Sequence, residues 1–230
     1  MKKLFALLTA LVMILSVSVV SADQLSDIQA KGVLEVGANV DFMPYEFYWT
    51  NPDTGEEELA GFDMALAKGI ADKLGVKLEL KDQAFAGLVT ALSANEMDMV
   101  ISGLAIKPER LEVVDFSDPY FSGEQILLEK IHILALELDQ GNIDGWLITD
   151  LVAKQYMAVY PGRFKISEVP VNYDSSAGIG VAVPKGDNES LLKVVNEYIA
   201  EIKADGTFDA WVDEAAAKGA SLLAKENAEE

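Results

Sequence analysis

The feature that most constrains the fold of this chain is a regular alternation of helix-like and strand-like segments from Ser26 onward. Apolar residues recur every four positions through Phe62–Leu74, which is typical of one buried face of a helix, and Gly75 then ends the pattern. Residues Val76–Leu80 alternate apolar with polar side chains, as a half-buried strand does. Repeated pairs of this kind predict an α/β protein.

The same patterns place the other elements along the chain. Ser26 and Gln29 can form a capping box at the first helix, and Gly32 is placed to end that helix. Further helices are predicted at Leu88–Ala94, Ile133–Gln140, Leu151–Val159, Leu191–Ile202 and from Phe208 towards a polar tail that is expected to fray. Further strands are predicted at Val33–Gly37, Met97–Ile101, Ile126–Glu129, Ile143–Ile148, Phe164–Val171 and Gly178–Val183.

The first 22 residues have the composition of a secretory signal peptide. Lys2 and Lys3 precede an apolar run from Leu4 to Val20, and small residues around Ala22 offer a cleavage site. We therefore expect export to the periplasm with cleavage after Ala22; an uncleaved membrane anchor is the alternative. No later run in the sequence reaches the ~20 apolar residues that a membrane-spanning helix needs.

The charge balance is strongly acidic, with 38 acidic against 18 basic residues and a net charge of −20. A nucleic-acid partner is therefore not expected, because the neutralisation of phosphates needs a basic surface. The sequence has no cysteine, so its fold would use no disulfide bond. The single histidine, His132, lies among apolar residues and is expected to be structural. No Cys/His cluster or phosphate-binding loop indicates a metal or a cofactor.

The run Val100–Phe121 (VISGLAIKPERLEVVDFSDPYF) carries the strongest indication of function. It opens as the end of a buried strand, turns at Ser102–Gly103, where backbone N–H groups are expected to be free, and then presents Arg110. An arginine binds a carboxylate through two parallel hydrogen bonds and stays charged at any ordinary pH. The run therefore favours a carboxylate site at Arg110; the alternative is a surface arginine paired with Glu109 or Glu112.

Five segments follow one another in an order that is typical of one protein family. They read GVLEVGANVDFMPYEF, GFDMALAKGIADKLGVKLEL, FAGLVTALSANEMDMVISGLAI, PERLEVVDFSDPYF and GIGVAVPKGDNESLLKVVNEYIAEIKADGTFDAWV. Together they resemble the extracellular solute-binding proteins of bacterial polar amino-acid ABC transporters. That family implies a type II periplasmic-binding-protein fold, in which two α/β lobes joined by two crossover strands close on a ligand. The lobes would comprise residues 23–120 with 184–230 and residues 121–183, with crossings at Tyr120–Phe121 and Val183–Lys185.

The resemblance implies a ligand site that is built largely by the first lobe. Asn39 takes the place where relatives often have an Asp that meets the ligand's ammonium or side chain. Phe42 and Phe85 correspond to the aromatic walls around the ligand, although ordinary core packing is the alternative for both rings. The turn Ser102–Gly103 belongs to the same site, and the Gly103 carbonyl would accept a hydrogen bond from the ammonium.

The resemblance also implies how the ligand carboxylate and the second lobe meet. The Ala105 N–H and the Arg110 guanidinium would bind the carboxylate. In the second lobe the family has an acidic residue for the ammonium, where this sequence has Thr149 followed by Asp150. Asp150 could take that role if the turn shifts by one residue, and it could equally be a helix N-cap.

A departure from the family lies between Lys130 and Ile131. Relatives carry a strand, a Gly-Thr-Thr turn that binds the ligand carboxylate at a helix N-terminus, a helix and another strand at this place. By that comparison about forty residues are missing, and a second lobe of 63 residues (121–183) would bury a low fraction of its surface. We therefore expect a shortened second lobe, in a truncated or divergent member of the family.

These expectations combine into one functional prediction. The chain would be a monomeric periplasmic protein that captures a small polar solute, in the first place an amino acid, and delivers it to the membrane permease of an ABC importer. It would perform no chemistry and use no cofactor. Three alternatives stay open, namely a cyclohexadienyl dehydratase-like enzyme with Asp150 as its acid, a truncated member with impaired binding, and a sensor lobe of a larger signalling protein.

Overall fold

The computed structural model describes residues 23–123, 125–130, 145–162, 164–169 and 177–229. The predicted signal peptide, His132 and the predicted helix Ile133–Gln140 lie outside these residues, and so does Ile131 at the expected junction.

Helices and strands alternate through the described residues, so the predicted α/β class is confirmed. The helices are α1 Gln24–Lys31, α2 Phe62–Leu74, α3 Phe85–Ser93, α4 Pro108–Leu111, α5 Asp150–Val159, α6 Glu189–Ala204 and α7 Thr207–Glu229. The strands are β1 Val33–Ala38, β2 Phe47–Thr50, β3 Glu57–Ala60, β4 Lys77–Asp82, β5 Met99–Val100, β6 Val114–Phe116, β7 Gln125–Lys130, β8 Gly145–Thr149, β9 Phe164–Ile166 and β10 Ala182–Pro184.

The larger sheet has five strands in the order β4-β1-β5-β10-β6. β1 runs parallel to β4 and β5, whereas β10 is antiparallel to β5 and β6. The core between this sheet and its helices contains almost fully buried apolar side chains, among them Leu34, Val36, Leu66, Ile70 and Met99. Because parallel strands end at one edge of a sheet, the segments that follow β1, β4 and β5 meet at that edge. Asn39, Phe85 and Ser102 lie in these three segments.

The start of α1 and the C-terminal tail differ from the sequence-based expectation. Asp23, rather than Ser26, is the N-cap of α1, because the Asp23 carboxylate accepts a hydrogen bond of 2.9 Å from the Ser26 N–H. The capping box of Ser26 with Gln29 was therefore wrong, whereas Gly32 ends α1 in a left-handed conformation as predicted. The polar tail that was expected to fray is helical to Glu229.

The smaller sheet has the order β8-β7-β9, and both neighbours of β7 are antiparallel to it. β8 leads directly into α5, so Thr149 and Asp150 lie where a strand ends and a helix begins. Of the predicted strand Phe164–Val171, the described part is extended only over Phe164–Ile166.

The two sheets are connected near Phe121 and Ile179, which exchange backbone hydrogen bonds across an antiparallel bridge. Val183, which was predicted at the second crossing, instead lies inside the larger sheet in β10, where it pairs with Asp115. Val183 lies in the sheet because Ala182–Pro184 pair with Val114–Phe116 of β6. The predicted limits of the two lobes stay a prediction.

Helix α7 contacts both α2, which packs on the larger sheet, and α5, which follows the smaller sheet. Its Phe208 ring packs against Phe62 at a centroid distance of 5.8 Å and against Phe121 at 6.4 Å. Further along, the Gln155 side-chain amide from α5 donates to the Ala216 carbonyl of α7 at 3.2 Å. Gly219 makes this approach possible, because a Cβ atom there would lie 2.1 Å from the Gln155 Nε2.

Candidate functional site

The turn after β5 is shaped by its glycine. Gly103 has a φ of +54°, and its N–H donates a hydrogen bond of 2.6 Å to Asp63 Oδ2. A Cβ atom at Gly103 would lie 3.0 Å from the Phe42 ring, so glycine allows the aromatic ring to lie directly against the turn. The structure therefore brings Phe42 and Gly103 together.

Arg110 lies half-buried in the short helix α4 beside the same turn. Its Nη1 donates to the Ala105 carbonyl at 2.6 Å, and its Cζ lies 5.7 Å from the centroid of the Phe85 ring. Phe85 is the first residue of α3 and is 40 % exposed. The guanidinium is thus held by a backbone oxygen on one side and by an aromatic face on the other.

The backbone of Ala105 is oriented towards Arg110. Ala105 forms a bridge with Ile179 in which the hydrogen bonds run through the flanking residues, from the Ile106 N–H to the Gly178 carbonyl and from the Gly180 N–H to the Leu104 carbonyl. In such a pair the N–H and C=O of the central residue both point away from the partner strand. The Ala105 carbonyl meets Arg110, so the Ala105 N–H points to the same side as the guanidinium.

Asn39 and Ser102 are joined to each other. The Asn39 N–H donates to Ser102 Oγ at 3.0 Å, and the Ser102 hydroxyl donates to Glu46 Oε1 at 2.5 Å. Ser102 is fully buried and Asn39 half-buried. The Ser102 hydroxyl is therefore directed into the protein, where it holds the end of β1 against the turn.

Phe42 is supported by a second aromatic ring that sequence reasoning missed. Tyr45 stacks on Phe42 with a centroid distance of 4.7 Å and an interplanar angle of 9°. Burial raises the pKa of the Tyr45 hydroxyl above its ordinary value, while a hydrogen bond of 3.4 Å to Thr149 Oγ1 acts in the opposite direction. Tyr45 thus connects the Phe42 ring to the start of α5.

The structure distinguishes Thr149 from Asp150. Thr149 is only 6 % exposed, has an extended conformation and occupies the N-cap position of α5. Asp150 is the first residue inside the helix and forms an ion pair of 2.7 Å with Lys154, so the alternative of Asp150 as the N-cap was wrong. Of the two, it is Thr149 that contacts Tyr45.

Below the turn lies a buried polar network that the sequence analysis did not identify. It contains Glu46, Asp63 and Tyr120, all of which are almost completely inaccessible to solvent. The only signal in the sequence was the presence of acidic residues inside the apolar segments PYEF and GFDMAL.

In the parts of the chain that the structure describes, no cluster of three or more His, Cys, Asp or Glu side chains could hold a metal ion. No helix within those parts is long and apolar enough to cross a membrane.

Comparisons with known proteins agree with this architecture. The arginine-binding extracellular protein ArtP of Bacillus subtilis is 32 % identical over 130 residues, which cover 56 % of this chain and 49 % of ArtP. The match therefore spans about half the length of that relative. The L-cystine-binding protein TcyJ of Escherichia coli is 29 % identical over 227 positions, covering 81 % of this chain and 83 % of TcyJ.

Among solved structures, the amino acid ABC transporter substrate-binding protein AbpA of Streptococcus pneumoniae bound to L-arginine is similar with a TM-score of 0.76. It is 25 % identical, and the similarity covers 84 % of this chain and 98 % of AbpA. The predicted two-lobed type II fold is thereby confirmed. The profile of one family matches residues 34–215, which is most of the sequence, and the chain therefore belongs to the bacterial extracellular solute-binding proteins, family 3.

Proposed function

We propose that this protein binds a polar amino acid in the periplasm and delivers it to the permease of an ABC importer. The observation that carries the proposal is the shared orientation of the Ala105 N–H and the Arg110 guanidinium. The N–H group and the guanidinium together offer hydrogen-bond donors to a carboxylate. They lie beside the Phe85 ring, which is partly open to solvent. The relatives named for arginine and cystine binding support an amino acid as the solute.

We further propose which residues meet each part of the ligand. The carboxylate would lie between Ala105 and Arg110, and the ammonium near the Gly103 carbonyl and Asn39. Phe42 and Phe85 would enclose the side chain. From the second lobe, we infer that Thr149 meets the ligand, because its Oγ1 accepts a hydrogen bond from the hydroxyl of Tyr45, whose ring stacks on Phe42.

The shortened second lobe is part of the proposal. The alignment with TcyJ spans 227 positions, although 81 % of 230 residues is only about 186 residues of this chain. The difference supports the absence of about forty residues that the relatives have, and a lobe of that size would bury little apolar surface by itself. We infer that α7, which packs on α5, supplies part of the surface that this lobe needs.

The enzyme alternative has little support from the described residues. A dehydratase of this fold would need a carboxylic acid in the cleft as a proton donor. The sequence-based candidate, Asp150, is instead ion-paired with Lys154. We therefore propose a protein that binds without chemistry, and we expect no turnover of prephenate by the purified protein.

A thermal-shift screen of the purified chain against the common amino acids and cystine tests the proposal. A ligand that binds only the folded state raises the melting temperature with concentration, by an amount equivalent to about 2.7 kcal/mol at 100 times its Kd. We expect at least one polar amino acid to do so. A flat response to all of them, with the protein folded, would favour the alternative of a truncated member with impaired binding.

Phe85→Ala is expected to separate binding from stability. The ring is partly exposed and covers Arg110, so its loss should weaken amino-acid affinity about tenfold while the free energy of unfolding changes by less than about 1 kcal/mol. Isothermal titration calorimetry and urea unfolding measure the two effects. Tyr48→Ala is the matched control, because Tyr48 is 42 % exposed on β2, and equal affinities of the two variants would remove Phe85 from the site.

A further inference from the structure

Two fully buried carboxyl groups lie directly beneath the proposed ligand site. Glu46 precedes β2, and Asp63 is the second residue of α2. Both side chains have no exposed surface, and within the described ranges neither is paired with a lysine or an arginine. Two buried carboxylates without a cation would be strongly unfavourable.

The hydrogen bonds of the pair show where a proton is required. Asp63 Oδ2 accepts from the Gly103 N–H at 2.6 Å and from the Tyr120 hydroxyl at 2.9 Å, while Glu46 Oε1 accepts from the Ser102 hydroxyl. The other two oxygens, Glu46 Oε2 and Asp63 Oδ1, are buried and have no donor among the described residues. Each carboxyl group influences the pKa of the other, so the two groups are close neighbours in the core. Since ionised carboxylates only accept hydrogen bonds, a proton on this neighbouring pair would supply the missing donor and remove one of the two buried charges.

The electrostatic environment favours a proton on this pair. Burial raises the pKa of Glu46 well above its ordinary value, and the nearby Asp63 raises it further. Burial also raises the pKa of Asp63, to about 7, although hydrogen bonds from Gly103 and Tyr120 act against the rise. The other titratable groups close to the pair are the hydroxyls of Tyr45 and Tyr120, and Asp150 acts on Tyr45 from the start of α5.

Each member of the pair holds a part of the ligand site. Glu46 fixes Ser102, which in turn binds the Asn39 N–H, and the Glu46 backbone exchanges hydrogen bonds with Phe42. Asp63 fixes the Gly103 turn and also Tyr120, which precedes the connection between the two sheets.

We propose that Glu46 and Asp63 share one proton and act as positioning residues for the ligand site, so that loss of the proton loosens the Ser102–Gly103 turn and weakens binding. The part that concerns affinity rests on the proposed function. The shared proton itself does not, because it can be observed without any ligand.

The direction of the pH effect follows from the two raised pKa values. Between the ordinary pKa of Asp63, 3.8, and its raised value of about 7, the folded state holds more protons than the unfolded state. The stability that the pair contributes is therefore complete below the ordinary pKa of 3.8 and is lost as the pH rises from there through about 7. Because loss of the shared proton loosens the Ser102–Gly103 turn, we expect amino-acid affinity to fall about fivefold between about pH 6 and about pH 8.5.

Glu46→Gln is the decisive variant. Its amide can donate to Asp63 Oδ1 and accept from Ser102, which reproduces the protonated side chain without a titrating proton. Over the same pH range, we expect its affinity to change less than about twofold and its melting temperature to depend less on pH than that of the wild type. Glu57→Gln, an exposed change of equal charge on β3, should keep the wild-type pH dependence.

Infrared spectroscopy observes the proton directly. At neutral pH the wild type should show a carboxylic-acid C=O band that is absent from Glu46→Gln and retained in Glu57→Gln. Asp63→Asn, which can also preserve the network, is measured in parallel in case Glu46→Gln does not fold, and it should likewise have a flatter pH profile. The absence of the band from the wild type, or the same pH dependence in all variants, would overturn the proposal. If the band is present and no amino acid binds, the proposed function fails and the shared proton stands.

Discussion

Arg110→Ala is expected to lower the affinity for any amino acid that the wild type binds by about 100-fold or more. The guanidinium is half-buried between the Ala105 carbonyl and the Phe85 ring, so a bound carboxylate would be largely removed from water there. Truncating one partner of a buried, hydrogen-bonded charge pair costs about 2–5 kcal/mol, because the other charge stays behind without a partner. Isothermal titration calorimetry measures the change.

Two further variants make this result specific. Arg110→Lys keeps the charge but loses the parallel donors, so we expect an affinity between those of the wild type and of Arg110→Ala. Lys68→Ala removes a cation that is exposed on α2 and paired with Asp72, and it should leave the affinity unchanged. An Arg110→Ala protein that is folded and binds as tightly as the wild type would exclude Arg110 from the site.

Gly61→Ala is expected to destabilise the fold by about 3 kcal/mol or more. Gly61 has φ +114° and ψ 151°, a region that is essentially restricted to glycine. An added Cβ would lie 2.0 Å from the Tyr45 carbonyl oxygen and 2.8 Å from the Glu46 Cα, and these backbone atoms cannot move aside as a flexible side chain could. The variant would push apart α2 and the loop that carries Phe42 and Tyr45.

Gly55→Ala provides the matched comparison. Gly55 also has a positive φ, of +72°, but an added Cβ there would meet nothing within 4 Å. Its cost should therefore be about 1 kcal/mol, the penalty for an alanine in a left-handed conformation. Urea unfolding of both variants gives the difference, and equal destabilisation would show that the contact at Tyr45 does not matter.

The sequence was informative wherever the signal is local. The spacing of apolar residues in Phe62–Leu74, with Gly75 after it, predicted α2 with the bounds that the structure has. Arg110 could be singled out because the strand, the turn and the arginine follow one another within a few residues. Its contact with Phe85 was not foreseeable from spacing, because it depends on how α3 and α4 pack.

Signals that depend on distant partners were missed. Glu46 and Asp63 are hydrogen-bonded to Ser102, Gly103 and Tyr120, which lie 40 to 57 residues further along the chain. In the sequence each acidic residue looks like a surface position, since only the folded core brings its partners together. The N-cap of α1 was misplaced for a different reason, because Asp23 and Ser26 are both good caps and the choice depends on local geometry.

The contact of α7 with α5 has a consequence for how a ligand can be enclosed. Gly219 lets the Gln155 amide reach the helix backbone, and Phe208 anchors the beginning of the same helix among Phe62, Tyr120 and Phe121. A rotation of the smaller sheet relative to the larger sheet must therefore pivot at these contacts of α7 or else break them. Small rotations about α7 are compatible with the packing, whereas a wide opening would break the hydrogen bond between Gln155 and the Ala216 carbonyl.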